Sequence, residues 1–408
     1  MKTTSVLNER ILAKDVKIDI DGHKTGLNSN ILCLGGSGSG KTTGFICPNL
    51  NHPVGSFIVQ DTKGQLFKQY HAKLLKNGYK VFVVDFVNPE NSYGYNPFEY
   101  IRKRPDGTYM EKDILKLATL LMPVLDQHEP FWEKAASRYI AMLIAYVLEA
   151  LPEEEHNLKS VVELHQQYDG GGEMLLLKWS QEHPESYAGR KYKMLSGTHT
   201  ADKTWYSIME FANSALDPFD CVEFDRIFSV PDTINLHEIS KQKTAVFLNT
   251  SDSDTSYGIL TNIFNAQLLQ TLLEDADALP EGRLPIPVNI FLDDFAAAGS
   301  MTEFDNTISI IRSRSISVSI MLQSLSQLER MYSKESAKTI INNCDHILYL
   351  GGGHDLDSAT FIAEHADLTP HSVLTLPIDK AILLTRGEKH RIVGKIKPTD
   401  PITGLTKE

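Results

Sequence analysis

Residues 31–44 read ILCLGGSGSGKTTG, an apolar run that breaks into glycines and serines before a lysine and two threonines. The spacing Gly35-x-x-x-x-Gly40-Lys41-Thr42 is that of a phosphate-binding loop, where bulky side chains would block the convergence of successive backbone N–H groups on a polyphosphate. Gly35, Gly36, Ser37, Gly38, Ser39, Gly40, Lys41, Thr42 and Thr43 are therefore the expected nucleotide contacts. Lys41 is expected to reach the β/γ-phosphates and the Thr42 hydroxyl to sit on Mg²⁺. A helix beginning near Gly40 would point its positive end at the same anion.

Working outward, apolar strand-like runs at Ser56–Gln60 and Lys80–Asp85 alternate with a helical pattern over Leu66–Lys76. Runs without polar alternation, separated by helices, predict a parallel sheet covered on both faces. From about Arg102 to Phe228 the strand patterns vanish, leaving helical stretches such as Lys112–Leu121, Phe131–Leu151, Leu158–Gln167 and Thr204–Leu216. Strands then return at Thr244–Leu248, Val288–Leu292, Ser317–Leu322, His346–Leu350 and Ala381–Leu384. The expected organisation is one α/β nucleotide-binding domain in two parts, 1–101 and 229–408, interrupted by an all-α insertion at 102–228.

With 408 residues and 42% hydrophobic content, the chain is long enough to bury a large core. A formal charge of −12 excludes a surface that is basic throughout, so any nucleic-acid contact must come from a local patch or channel. Four cysteines without a C-x-x-C pair argue against a zinc site or a disulfide framework and fit a reducing cytoplasm. The opening MKTTSVLNER is polar, and no secretory signal is expected. The most apolar stretch, Tyr139–Leu148, is about half the length a bilayer demands and reads as a buried helix.

A phosphate loop names no reaction by itself, and a carboxylate at the end of an apolar strand is the next requirement. VNIFLDD at 288–294 supplies two. Asp293 would hold the metal and Asp294 would orient or deprotonate the attacking water. Gln323, at the end of SVSIMLQ, presents an amide suited to sensing a γ-phosphate without adding charge. Arg312 and Arg314, just before that strand, would either reach a neighbouring subunit's phosphate or form surface ion pairs.

These pieces, taken in order, resemble the VirD4/TraG-type coupling proteins of type IV secretion and conjugation. The matching segments are GGSGSGKT, PNL at 48–50, DTKGQ at 61–65, YNPFEY at 95–100, FWEKAASRYI at 131–140, SDSDTSYGILTNIFNAQL at 251–268, FLDDFAAAG at 291–299 and SRSISVSIMLQSLSQL at 313–328. The resemblance implies a RecA/FtsK-like P-loop ATPase with an inserted all-α domain, using ATP and Mg²⁺. It implies Lys41 and Thr42 at the phosphates and magnesium, and Asp293 at the metal. Asp294 would be the catalytic carboxylate, Arg312 a finger acting across a subunit interface, and Gln323 the γ-phosphate sensor. Asp61 would support the site from a neighbouring strand. The family usually carries Asp-Glu where this chain has Asp293-Asp294, and DTKGQ has Thr62 and Gln65 where the family has proline and glutamate.

The activity so implied is an ATP-driven motor that receives a relaxase or relaxosome with its single-stranded DNA, or a protein substrate, and delivers it to the type IV secretion channel. A homo-hexamer at the cytoplasmic side of the bacterial membrane is expected, attached through an anchor absent from this sequence or through a membrane partner. Two other readings stay open: an FtsK/HerA-like pump for double-stranded DNA, and an ATP-gated substrate adaptor that hydrolyses little. The basic stretches Arg102–Arg104, Arg190–Lys193 and Arg386–Lys397 read as solvated faces or as DNA contacts.

Overall fold

The computed structural model describes residues 8–124, 128–197, 202–229, 232–251, 258–297 and 301–398. Residues 252–257 of the SDSDTSYG motif and 298–299 of FLDDFAAAG lie outside them. The chain divides into two compact units. One comprises Met1–Val87, Asn235–Gly258 and Leu268–Glu408, and the other comprises Asn88–Ile234 and Ile259–Gln267.

The first unit opens with a hairpin, β1 (Glu9–Ala13) and β2 (Val16–Asp19), and continues with β3 (Ile31–Leu34), β4 (Ser56–Gln60) and β5 (Lys80–Asp85). After the second unit come β6 (Thr244–Asn249), β7 (Val288–Leu292), β8 (Ile316–Leu322), β9 (His346–Tyr349), β10 (Lys380–Thr385) and β11 (Arg391–Gly394). Strands β3 to β11 form one sheet in the order β11-β10-β9-β3-β8-β7-β4-β6-β5. Every residue of β3, β4, β6, β7, β8 and β9 is buried, which explains their near-continuous apolar sequences.

All neighbouring pairs from β9 to β5 run parallel. The parallel expectation fails at one margin, because β10 runs antiparallel to both β9 and β11. The β10–β11 pair follows from its connection: only Arg386–His390 separate the two strands, too few residues for the crossover that a parallel pair requires.

Helix Gln65–Lys76 shows how local sequence covers the sheet. Leu66, Tyr70 and Leu74 are four residues apart, lie on one face and are buried. Around them Phe57, Phe247 and Phe291 pack edge-on, with ring centroids 6.1 Å apart for Phe57–Phe247 and 6.4 Å for Phe57–Phe291.

The second unit is helical, and its described residues include no strand longer than an isolated bridge. Its axis is the helix Phe131–Ala150, in which Tyr139 to Leu148 are all buried, as their apolar run predicts. Helices Glu111–Leu121, Leu158–Gln166, Tyr187–Ser196 and Asp202–Leu216 pack around it. No helix of the described residues is long and apolar enough to cross a membrane.

Candidate functional site

The register of three adjacent strands assembles the site. Leu34 of β3 pairs with Leu322 of β8, and Leu292 of β7 pairs with Ile320 of β8. The strands are parallel, so the loop after Leu34, the residue after Leu322 and the residue after Leu292 emerge at one edge of the sheet. That is the carboxyl edge, where open α/β sheets bind ligands. The Gly35 N–H donates to the Leu322 carbonyl at 3.1 Å, which fixes the start of the loop against β8.

Gly38 and Gly40 adopt left-handed φ values of 72° and 96°, a conformation that favours glycine. Gly36 is required for a different reason: a Cβ would lie 2.2 Å from the Gly352 carbonyl oxygen. The chain then winds through a π-helical turn, Lys41–Ile46, into the helix Cys47–Asn51. The Lys41 side chain is only 8% exposed, and its ammonium donates to the Gly35 carbonyl at 2.6 Å and the Gly36 carbonyl at 3.1 Å. Both of its hydrogen-bond partners are carbonyls and neither is a carboxylate, so the ammonium is not committed to a direct ion pair. The Ser39 hydroxyl is also buried, with no hydrogen-bond partner among the described residues. A cradle of backbone N–H groups, an ammonium without a direct carboxylate partner and an orphan hydroxyl fit a polyphosphate.

The Thr42 hydroxyl donates to Asp293 Oδ2 at 2.6 Å, joining the phosphate loop to the end of β7 across the intervening β8. Burial pushes the Asp293 carboxyl up to about 6, with Asp294 adding to the rise, while the Thr42 hydrogen bond and the Lys41 charge oppose it. Asp293 therefore remains an anion at neutral pH. Hydroxyl and carboxylate oxygens are the donor set that Mg²⁺ takes. Asp294 follows in the left-handed region at φ 47°, with its N–H on Asp293 Oδ1 at 3.2 Å. Gln323 is exposed at the same edge, and its backbone N–H donates to Gln327 Oε1 at 2.8 Å.

Ser37 is exposed within the loop and Thr43 is exposed just beyond Thr42. The structure thus gathers the loop, Asp293, Asp294 and Gln323 at one edge. It does not bring Arg312 there. Arg312 precedes β8, whose seven residues span roughly 23 Å at about 3.3 Å each. It lies at the amino edge, exposed, with Nη2 on the Gly22 carbonyl at 3.3 Å. Arg314 forms a two-pronged ion pair with Asp277, at 2.7 and 3.1 Å.

Asp61 directly follows β4, beside β7, and its carboxylate accepts from the Gln65 and Phe67 N–H groups at 3.0 and 2.9 Å. It caps the helix Gln65–Lys76. The arginines of the basic stretches are held in ion pairs. Arg102 pairs with Asp113, Lys103 with Glu153 and Arg190 with Glu111, while Arg386 pairs with Asp345 and Arg391 with Glu388. Tyr187 and Tyr192 are buried, which removes them as surfaces for stacking on bases.

Two contributors escaped the sequence reading. The Gly36 N–H donates to the Gly351 carbonyl at 3.0 Å, so the triple glycine 351–353 after β9 is the wall behind the phosphate loop. Lys395, just past β11, donates from Nζ to the Ser39 carbonyl at 3.1 Å. The glycine triplet following an apolar strand was a visible signal, whereas Lys395 stood only within the basic stretch Arg386–Lys397, with nothing to tie it to the loop.

Sheet order, loop and strand-end carboxylates define a RecA-like P-loop protein of the α/β class. Residues 5–366 match the family described as "Type IV secretory system Conjugative DNA transfer". The chain therefore belongs to that family, the VirD4/TraG-type group its ordered motifs resemble. It is 22% identical over 335 residues to the protein VirD4 of Rhizobium rhizogenes, covering 80% of this chain and 47% of that one. Identity to VirD4 of Agrobacterium fabrum is also 22%, covering 80% and 48%. The chain thus spans about half the length of the curated relatives it matches. Among solved structures, the unbound bacterial conjugative coupling protein TrwBdeltaN70 superposes with a TM-score of 0.70 at 13% identity, covering 100% of this chain and 93% of that one. TrwB in complex with ADP and Mg²⁺ gives 0.69 at 13% identity, covering 98% and 92%.

Proposed function

We propose that this chain is an ATP-hydrolysing coupling protein that recruits a relaxase with its single-stranded DNA, or a protein substrate, and delivers it to a type IV secretion channel. The 2.6 Å bond between Thr42 and Asp293 carries the reading, because it brings the hydroxyl of the phosphate loop and the strand-end carboxylate to one point. Family membership and the TrwB likeness support it. Thr42 and Asp293 would hold Mg²⁺, which when bound neutralises charge on the phosphate oxygens.

Lys41 turns from the Gly35 and Gly36 carbonyls to the β/γ-phosphates, with the N–H groups of Ser37, Gly38 and Gly40–Thr43 around them, those of Gly35, Gly36 and Ser39 being held by other carbonyls. Asp294 takes the proton of the attacking water as its oxygen bonds to the γ-phosphorus. The bond from that phosphorus to the bridging oxygen breaks, and ADP leaves with the electron pair. Gln323 positions the γ-phosphate. Arg312, remote from its own loop, serves a neighbouring subunit of a homo-hexamer, and the all-α unit recognises cargo.

The test is ATP turnover on assembled protein, alone, with single-stranded DNA and with double-stranded DNA. Stimulation by single strands is expected. Tight ATP binding without turnover would favour the adaptor, and stimulation by duplex alone would favour the double-strand pump.

A further inference from the structure

The amino edge of the sheet holds a cavity of about 620 Å³, within the size range of small-molecule sites. One wall is the loop entering β7, which contributes Leu279, Pro280, Leu284, Pro285 and Pro287. Its prolines fix their own φ, and its far end is tied to the start of β8: the Leu284 N–H donates to the Arg314 carbonyl at 3.1 Å and the Val288 N–H to the Ser315 carbonyl at 3.0 Å. This wall is therefore preformed. Ile20, after β2, and Ile316 of β8 extend its apolar surface.

The rest of the lining is polar and cationic. Ser29, Asn289 and Ser317 form a buried floor, and all three hold the guanidinium of Arg10, which lies behind them. Every hydrogen-bond partner of Arg10 is neutral, and burial lowers its pKa only to about 9, so it stays charged at neutral pH. A charge in such low-dielectric surroundings acts further than one in water. At the rim, among the described residues, Arg283 engages only Nε, with Glu281 at 2.9 Å, and Arg312 engages only Nη2, with the Gly22 carbonyl. Both keep N–H groups for a further acceptor. The two carboxylates of the lining are already engaged: Asp21 accepts from the His23 N–H at 3.0 Å, and Glu281 holds Arg283.

Three guanidinium groups around one cavity exceed what a single carboxylate needs, and the arginine fork matches the oxygens of a phosphate. We propose that this cavity binds a phosphate ester with an apolar body, its phosphate between Arg283, Arg312 and the floor over Arg10, and its apolar part against the proline wall. Where Arg312 is drawn to a neighbouring subunit, Arg283 and the floor remain. The site is separate from the phosphate loop, because the seven residues of β8 lie between the two edges.

Titration calorimetry with phenyl phosphate tests it, run on the full Lys41→Ala chain so that the phosphate loop of every subunit is silenced. Saturable binding of one phenyl phosphate per chain is expected, tighter than that of inorganic phosphate because the ring meets the apolar wall. Arg283→Gln, added to Lys41→Ala, should weaken phenyl phosphate roughly tenfold. Leu279→Glu, which sets a carboxylate at an exposed position of the rim, should weaken it at least as much. Thermal melting matched to Lys41→Ala confirms that each variant is folded. Absence of saturable binding, or affinity unchanged in both variants, overturns the site. Sedimentation with phosphatidylcholine vesicles containing phosphatidic acid separates the two sources of the ester: pelleting that phenyl phosphate reverses assigns the phosphate to a lipid headgroup, and binding of phenyl phosphate without pelleting assigns it to a soluble molecule.

Discussion

The two edges of the nine-stranded sheet are built from the same strands and carry opposite arrangements of charge. At the carboxyl edge Lys41, Thr42, Asp293, Asp294 and Gln323 converge within one chain. At the amino edge, Arg10 is buried with no carboxylate beside it, donating to the Ser29 carbonyl at 2.9 Å, the Ser317 hydroxyl at 2.8 Å and Asn289 Oδ1. That network pins the first hairpin to the starts of β7 and β8. Arg312 stands exposed at the same edge. The difference teaches that parallel strands gather phosphate chemistry at one end only, so a residue at the other end can serve such a site only in another copy of the chain.

The sharpest way to break this contrast is Lys41→Ala, which should reduce ATP turnover at least about 10³-fold and abolish nucleotide binding, because it removes a charge aimed at the phosphates. Near-wild-type turnover would take the loop out of the site. Arg312→Ala should lower turnover on the order of 10³-fold with ATP affinity unchanged, as expected for a finger acting in trans. Mixed assemblies of Lys41→Ala and Arg312→Ala subunits should recover activity, since each supplies what the other lacks. Assemblies shown to be mixed yet inactive would return Arg312 to a surface role.

Asp294→Asn should cost on the order of 10² in turnover and leave nucleotide affinity near wild type. Loss of binding without loss of turnover per bound nucleotide would contradict the assignment.

The smallest effect concerns pH, and the two edges respond with opposite signs. His346 begins β9 at the amino edge, buried and bonded to the Thr385 hydroxyl at 3.2 Å. Burial lowers its pKa from 6.5 to about 4. The unfolded chain therefore takes up this proton first, and stability is lost as pH falls from 6.5 towards 4. Asp293, raised from 3.8 to about 6, does the reverse: the folded chain takes up its proton first, adding stability as pH falls from 6 towards 3.8. The two offset each other below pH 6 in metal-free protein. His346→Gln removes one side, so the variant should gain on wild type by up to about 1.4 kcal/mol per pH unit below 6.5. Urea midpoints at pH 7 and 4.5 would read the gain, and parallel pH profiles would rule it out.

Much of the site was legible because its residues sit in short local patterns. GGSGSGKT states its backbone needs in composition, and LDD after VNIF marks a strand end. Strands buried on both faces have no polar alternation, which is why β3, β4 and β7 read directly to their observed bounds. The short strands β1 and β11 and the helices Glu173–Glu182, Tyr187–Ser196 and Val222–Ser229 escaped the pattern. Each is ten residues or shorter, less than the window of about eleven over which a period can be read.

By itself, the sequence determined the chemical types, the α/β class and the order of the motifs, because each is set by residues near one another in the chain. Only the tertiary structure decided which of them meet. Strand order places β8 between β3 and β7, and register sets Leu34, Leu322 and Leu292 near one level; both arise from packing among segments separated by up to about three hundred residues. The same packing put Thr42 on Asp293, buried Tyr187 and Tyr192, committed Asp61 to capping a helix, and held Arg312 at the far edge from the loop.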